Sequence, residues 1–460
     1  MRLARARFAV SVALALAAAP PAVAQRAPLS RQARLQLADS ISHALRAEEL
    51  DAWYPRAVDR RDGGFLSRLD YEWKPVGPQD KMIVTQARHV WTTAQASLFF
   101  PDDTTYLPEA AHGFAFLRDE MWDARDGGFY WLVARDGTPK REPDGRIVKQ
   151  AYGEAFGIYG LAGYYEASHD TAALHLAQRA FRWLDRHAHD PVHGGYFNYL
   201  LRDGTPLTKG YDDTPPKDQN SSIHILEALT SLYRVWPDPT VRARLAEMLH
   251  LVRDTMRTDP GYLRLFFTAD WTPISYRDST EAVRKAHDYF DHVSYGHDVE
   301  TAYLMLEASH ALGLKHDTTT PRLAKQMVDH ALRTGWDDGV GGFYDEGYYF
   351  RDRPGVTIIA DTKNWWAQAE GLNTLLLMGD LFPSDPMHYQ QRFLKQWSYI
   401  DRYLIDHQHG GWYEGGLDKE PQRKTGDKGH IWKAAYHDSR AMMNVVRRLR
   451  NPPPPAGATE

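Results

Sequence analysis

Arg88, Tyr152, His224, His297, Trp366 and His437 follow one another at intervals of 64, 72, 73, 69 and 71 residues. Each stands near the start of a segment whose apolar residues recur at helical spacing. Side chains at matching points of a repeat converge, so these six, with Asn220, Glu300, Trp365 and Trp432 beside them, are expected at one mouth. In His297-Asp298-Val299-Glu300 an imidazole and a carboxylate stand at i and i+3, from which Glu300 is expected to orient the His297 ring and raise its basicity. His437 comes from the last repeat. Two histidines on opposite faces of a bound molecule suit proton transfer alpha to a carbonyl: one removes the proton and the other returns it to the far face. Such acid-base help is worth about 10²- to 10⁴-fold. Arg88 is a permanent cation suited to a developing enediolate oxygen. Trp366 and Trp432 offer flat faces to a pyranose ring, with Tyr152, Asn220 and Trp365 as further contacts. His224, His297 and His437 fall on three different helices and no His-Glu-x-x-His run occurs, so neither a metal nor another cofactor is expected. His89, His112 and His409 read as structural.

The elements that must position these residues recur as well. Gly-Gly-aromatic stands at Gly63-Gly64-Phe65, Gly127-Gly128-Phe129, Gly194-Gly195-Tyr196, Gly341-Gly342-Phe343 and Gly410-Gly411-Trp412, with a degenerate copy at Asp259-Pro260-Gly261-Tyr262. Arg-Asp-Gly-Thr-Pro follows two of them, so each copy is expected to form a short hairpin. Two helical segments lie between successive copies. First helices are expected near Gln86, Tyr152, Asn220, His297, Trp365 and Trp432, and second helices near Thr104, Thr171, Pro239, Thr319 and Pro386, with Arg31 to Trp53 as mate of the last. Twelve helices in six pairs suit closure into a ring, an all-α (α/α)6 barrel with short β-hairpins between pairs. The small residues Gly157, Gly160, Gly163, Ala302, Ala369 and Ala435 place the first helices in the crowded inner layer. The polar loops 139–150, 211–219 and 270–291 are expected to wall one end.

Arg2, Arg5 and Arg7, the apolar run Phe8 to Pro20 and Ala22-Val23-Ala24 lay out a cleavable export signal over residues 1–24, which predicts a periplasmic or extracellular protein. Residues 25–450 are assigned to the barrel and 451–460 to a disordered Pro-rich tail. The absence of cysteine excludes disulfides and thiolate catalysis. A net charge of -5 without basic runs argues against nucleic acid or anionic membrane as partner. A mono- or disaccharide, a chain free of membrane after signal cleavage, and a monomer or homodimer are expected.

The stretches Gln86-Ala87-Arg88-His89-Val90-Trp91, Tyr152-Gly153-Glu154-Ala155-Phe156, Asn220-Ser221-Ser222-Ile223-His224-Ile225-Leu226-Glu227-Ala228, Ser294-Tyr295-Gly296-His297-Asp298-Val299-Glu300, Trp365-Trp366-Ala367-Gln368-Ala369-Glu370 and Trp432-Lys433-Ala434-Ala435-Tyr436-His437 resemble the N-acylglucosamine 2-epimerase superfamily, nearest its cellobiose 2-epimerase branch. The resemblance implies an (α/α)6 barrel and metal-free interconversion of sugars epimeric at C2, or of aldose and ketose. It puts Arg88, His224, His297, Glu300, Trp366, Trp432 and His437 on active-site positions, with His297 and His437 as the acid-base pair. It further implies action on the reducing-end glucose of a β-1,4 disaccharide such as cellobiose or mannobiose. An aldose-ketose isomerase or a monosaccharide N-acylglucosamine 2-epimerase would use the same parts. Asn-Ser-Ser-Ile-His stands where many cellobiose epimerases are expected to read Asn-Thr-His-Met-His. A glycoside hydrolase needs two carboxylates flanking the bond, and the stations supply mainly Glu300. A non-catalytic carbohydrate-binding barrel would explain the aromatics alone.

Overall fold

The computed structural model describes residues 29–452; the expected export signal and the expected tail beyond Pro452 lie outside them. The helices in chain order are α1 (Arg31–His43, running on through Ala44–Leu50 and Asp51–Trp53), α2 (Ile83–Phe99), α3 (Tyr106–Phe116, running on through Leu117–Met121) and α4 (Ala151–Ser168). Next come α5 (Thr171–His187), α6 (Gln219–Val235), α7 (Pro239–His250, running on through Leu251–Met256), α8 (Glu281–His287) and α9 (Tyr295–Ala311). The last are α10 (Thr319–Thr334), α11 (Trp365–Leu381), α12 (Tyr389–Tyr403) and α13 (His437–Arg450). Asp170, Asp218 and Asp238 start α5, α6 and α7 by accepting hydrogen bonds from backbone N–H groups of the first turn.

In the order α2, α4, α6, α9, α11, α13, six helices buried on nearly every face form an inner ring, and α3, α5, α7, α10, α12 and α1 pack outside them. The outer helices α5 and α10 bury one stripe only (Leu176, Ala180, Trp183; Leu323, Met327, Ala331), as two-layer packing requires. The inner contacts are close. A methyl at Gly160 would stand 2.8 Å from the Ala87 carbonyl oxygen, so α4 approaches α2 only because that position lacks a side chain. Between α13 and α2 the ring is joined by Thr92 Oγ1 donating to Ala435 O at 3.3 Å and by Trp91 meeting Tyr436 edge to face at 5.3 Å. The segment Arg31 to Trp53 does supply the outer mate of α13, held by Arg34 donating to Arg448 O at 2.9 Å. The molecule is an (α/α)6 barrel.

Two expectations are corrected. The last inner helix starts at His437 and not at Trp432, because a turn in which Lys433 N donates to His430 O at 2.9 Å occupies the intervening residues. The loop 270–291 carries a thirteenth helix, α8. The expected short hairpins do form at the Gly-Gly-aromatic elements, as antiparallel bridges such as Trp122 to Phe129 and His189 to Tyr196, and the strands beyond them pair in addition with a partner distant in sequence. β1 (Lys81–Met82), which leads into α2, pairs antiparallel with β2 (Leu132–Val133) of the following element. β3 (Val148–Gln150) pairs in the same way with β4 (Tyr199–Leu201), β5 (Lys217–Asp218) with β6 (Phe266–Phe267), and β7 (Val293–Ser294) with β8 (Glu346–Tyr348). Only β8 and β9 (Thr357–Ala360) make a local hairpin of named strands. Every inner helix start from α2 to α9 is thereby stitched to the turn after its own helix pair.

A buried ion pair fixes that stitch. Asp59, Asp123, Asp190, Asp337 and Asp406 each stand four residues before a Gly-Gly pair, a regularity beyond the one read from the sequence. Each holds a buried lysine: Lys81, Lys149, Lys217, Lys363 and Lys428. Lys217 Nζ spends its three donors on Asp190 Oδ2 at 2.7 Å, Gly194 O at 2.9 Å and Ala269 O at 2.7 Å, which is the full satisfaction a buried ammonium demands. In the fourth element Thr258 and Val293 occupy the two equivalent positions, so both partners are missing together. Lys217→Met leaves Asp190, which has no arginine partner among the described residues, without its buried ammonium and is expected to lower unfolding free energy by about 3–5 kcal/mol in chemical denaturation.

Candidate active site

The hairpins set the level of four inner helices, α2, α4, α9 and α11, through one side chain each. Gln86 Oε1 accepts from Phe65 N at 2.8 Å, Glu154 from Phe129 N at 2.6 Å, Asp298 from Leu263 N at 2.9 Å and Gln368 from Phe343 N at 2.8 Å. Counted from these anchors, the expected station residues occupy three levels of the barrel and not one. Tyr152, Asn220 and Trp366 lie nearest the mouth, His297 and His437 one residue deeper, and Arg88, His224 and Glu300 about a turn deeper. Glu370 and Arg440 share that deepest level.

Arg88, Tyr152, Asn220, His224, His297, Glu300, Trp365, Trp366, Trp432 and His437 nonetheless line one cavity of about 250 Å³, so every expected site residue is brought together. Roomier clefts of about 700 and 430 Å³ lie beside α5 and beside α8; the first is lined by His187, His189 and His193, and neither holds any of the expected site residues. Trp366 stands between the two histidines, with ring centroids 4.7 Å from His297 and 5.9 Å from His437. Trp432 is 44% exposed at the rim and packs against Trp131 at 5.9 Å. Trp365 is packed edge-on to His430 at 5.8 Å. His89, His112 and His409 instead bond Tyr54, the Asp59 and Gly64 carbonyls, and Asp406, all within the hairpin layer.

Glu300 does not orient His297. The partner of His297 Nδ1 is Ser294 Oγ at 2.8 Å, supplied by the strand just before α9. Glu300, one turn deeper, is drawn to the Arg440 guanidinium at 2.7 Å. The carboxylate-histidine pairs are different ones: His224 Nδ1 with Glu227 at 2.8 Å, and His437 Nδ1 with Glu370 at 2.8 Å. Arg440 binds Glu227, Glu300 and Glu370 together, and Tyr436 donates to Glu227 at 2.7 Å. The sequence reading missed Glu227, Glu370 and Arg440. Their signal was the helical offset: Glu227 follows His224 by three residues, Arg440 follows His437 by three, and Glu370 follows Trp366 by four. The barrel therefore holds three carboxylates and not one, yet only Glu300 reaches the cavity wall.

Burial sets the proton balance. It holds His297 down at about 3, with His224 and His292 adding to the effect, and His437 well below its ordinary value, with Arg88 and Arg440 adding. Both rings are thus neutral, each with Nδ1 engaged and Nε2 as the free nitrogen. Burial pushes the Glu300 carboxyl up to about 7, helped by the Glu370 charge. Burial also pushes Glu227 up, but Arg440 and His224 outweigh it and leave that carboxyl at about 2. Arg88, 5% exposed, is held by Trp432 O at 3.1 Å and Tyr152 Oη at 3.4 Å and lies over Phe156 at 4.5 Å. Among the described residues it has no carboxylate partner, so a buried cation is left facing the cavity.

Among the described residues, Glu300, Glu370 and His437 are the one group of three whose donor atoms lie within 4.8 Å of one another, and the Arg440 guanidinium already sits on both carboxylates. Arranged in this way the cavity can accept a proton at either imidazole Nε2 and stabilise an oxyanion at Arg88. Because the Glu300 carboxyl is raised above the ordinary 4.5, its ionisation opposes folding: stability carried by the neutral form is lost as pH rises toward about 7. Glu300→Gln is expected to flatten the decline in unfolding free energy between pH 5 and 8, read from urea titrations at each pH.

Residues 63–438 match the family model of N-acylglucosamine 2-epimerase (GlcNAc 2-epimerase). The cellobiose 2-epimerase of Bacteroides fragilis is 28% identical over 411 residues, 86% of this chain and 95% of that protein. The D-mannose isomerase of Marinomonas mediterranea is 24% identical over 407 residues, covering 86% and 94%. A solved cellobiose 2-epimerase from Spirochaeta thermophila superposes with a TM-score of 0.76 at 29% identity, covering 91% of this chain and 98% of its own. With the fold, the histidine-lined cavity and a family match running from the first Gly-Gly element to the start of α13, the chain belongs to the N-acylglucosamine 2-epimerase family of sugar epimerases.

Proposed function

We propose that the protein interconverts glucose and mannose at the reducing end of a β-1,4 disaccharide of the cellobiose or mannobiose type. The observation behind this reading is the pairing of two neutral, buried imidazoles with an Arg88 guanidinium that has no carboxylate partner among the described residues, in a cavity sized for one sugar ring. The pyranose first opens, O1 losing a proton and O5 gaining one. His297 Nε2 then takes the C2 proton, and the electron pair moves onto the carbonyl oxygen, which Arg88 receives as an enediolate. His437 returns a proton from Nε2 to the other face of C2. Glu370 lies on His437 Nδ1 and its carboxyl is raised by burial, so the proton given up at Nε2 is replaced from the carboxyl side. The charge on His297 and Glu370 after one passage is cancelled when the proton returns through solvent or in the reverse passage. Trp366, between the rings, holds the open chain while the C2 plane turns.

A second reading, aldose-ketose isomerisation, differs only in returning the proton to C1. It draws support from the mannose isomerase relative and from Ser222, whose hydroxyl donates to Asp218 O at 2.7 Å where an imidazole was expected. Hydrolysis draws little, since Arg440 ties the carboxylates together on one side instead of leaving two to flank a bond.

In deuterated water, proton NMR of cellobiose or mannobiose with the enzyme is expected to show deuterium entering at C2 as the epimer appears. Exchange at C1 with a growing ketose selects the isomerase. His297→Ala and His437→Ala are each expected to abolish exchange while retaining sugar binding, and Arg88→Met to lower kcat by about 10²- to 10³-fold. Unchanged exchange in either histidine variant removes that residue from the mechanism. The export signal read at residues 1–24 adds the proposal that turnover takes place outside the cytoplasm; N-terminal sequencing of the mature chain is expected to begin at Gln25, and Met1 would contradict it.

A further inference from the structure

A cavity of about 250 Å³ falls below the roughly 300–1,000 Å³ of common ligand pockets, so the second ring of a disaccharide must rest outside it. Aromatic faces left in water are the surfaces on which sugar rings stack, and among the described residues only two aromatic side chains count as exposed: Trp432 at 44% and Tyr289 at 65%. Trp432 belongs to the cavity rim on the α13 side. Tyr289 ends the inserted segment that carries α8, and stands on the α9 side.

The position of Tyr289 is built. Its ring is backed by Phe266 at 5.4 Å and Phe290 at 5.9 Å, and lies 6.1 Å from the His292 ring. His292 is buried, lies near enough to His297 to weigh on its charge, and faces Glu346 at 3.7 Å. Asp291 ties the segment down: one oxygen accepts from Tyr276 N at 2.7 Å, Ser275 Oγ at 2.7 Å and Tyr348 Oη at 3.0 Å. The most exposed aromatic of the described residues is thus fixed from behind, beside a half-exposed carboxylate and one histidine away from the proposed base.

We propose that Tyr289 is the stacking platform for the second sugar ring, with Glu346 accepting hydrogen bonds from its hydroxyls, so that the α8 insertion selects a disaccharide over a monosaccharide. The proposal rests on the reading of the cavity as the site of the reducing-end ring. Its test is titration calorimetry with two alditols that cannot be isomerised, cellobiitol and glucitol. The intact protein is expected to bind cellobiitol at least tenfold more tightly than glucitol. Tyr289→Ala is expected to erase that preference by weakening cellobiitol alone, and Tyr289→Trp to keep it. Equal binding of both alditols by the intact protein, an unchanged preference in Tyr289→Ala, or equal weakening of both overturns the proposal. Because neither probe turns over, absence of C2 exchange with these affinities intact would remove the epimerase reading and leave the subsite standing.

Discussion

Arg440 places one guanidinium among carboxylates from α6, α9 and α11, and among the described residues no other cation pairs with carboxylates of three inner helices. A buried arginine is never neutral, so it needs an anionic partner, and Glu227 is the carboxyl held down as that anion while burial raises Glu300 and Glu370. The arrangement below the cavity follows from this. Glu227 is kept ionised and can fix His224. Glu370 is shared between Arg440 and His437, and Glu300 is pulled away from the histidine that precedes it by one turn. The imidazoles stay neutral because a strong cation close to His437 and heavy burial at His297 both disfavour a second positive charge.

Above this layer the barrel uses uncharged anchoring and ion pairing in alternation. The Gln86, Glu154, Asp298 and Gln368 side chains read the backbone of a hairpin aromatic and so fix how far each helix slides along the barrel axis. The lysine clamps fix the approach of the chain to those helices. Packing alone would leave a ring of similar helices free to shift by a turn, since apolar faces of this kind are not selective. Directional bonds at these helix starts remove that freedom, and a site assembled from six helices needs it removed.

The repeat was legible in the sequence because Gly-Gly-aromatic is a rare triplet and recurs at the spacing of a helix pair. All ten cavity residues were legible because polar and aromatic side chains at successive helix starts have few structural uses. Glu227, Glu370 and Arg440 escaped because the repeats were aligned on the histidines, which mixes three levels; aligned on Gln86, Glu154, Asp298 and Gln368, Arg88, Glu300 and Glu370 fall into one row. Ser294 escaped because it lies before its helix, where helical periodicity carries no information. Strand pairing escaped for a different reason: strands of two or three residues show no alternation, and their partners lie about 50 residues away, so only the folded barrel brings them into register.

The fourth hairpin, with Thr258 and Val293 in place of the aspartate and lysine, sets one sector of the wall apart from the rest. A buried ion pair cannot be dismantled one residue at a time without passing through a half-charged interior, so a sector that has already lost both partners is free of that barrier. Lengthening the chain there disturbs no clamp, and the span from Thr258 to Val293, which carries α8, is 35 residues long where the five clamped spans run from 22 to 27. For lineages diverging from this scaffold, and for anyone grafting new recognition loops onto it, this sector is where length can change while the catalytic floor stays in place.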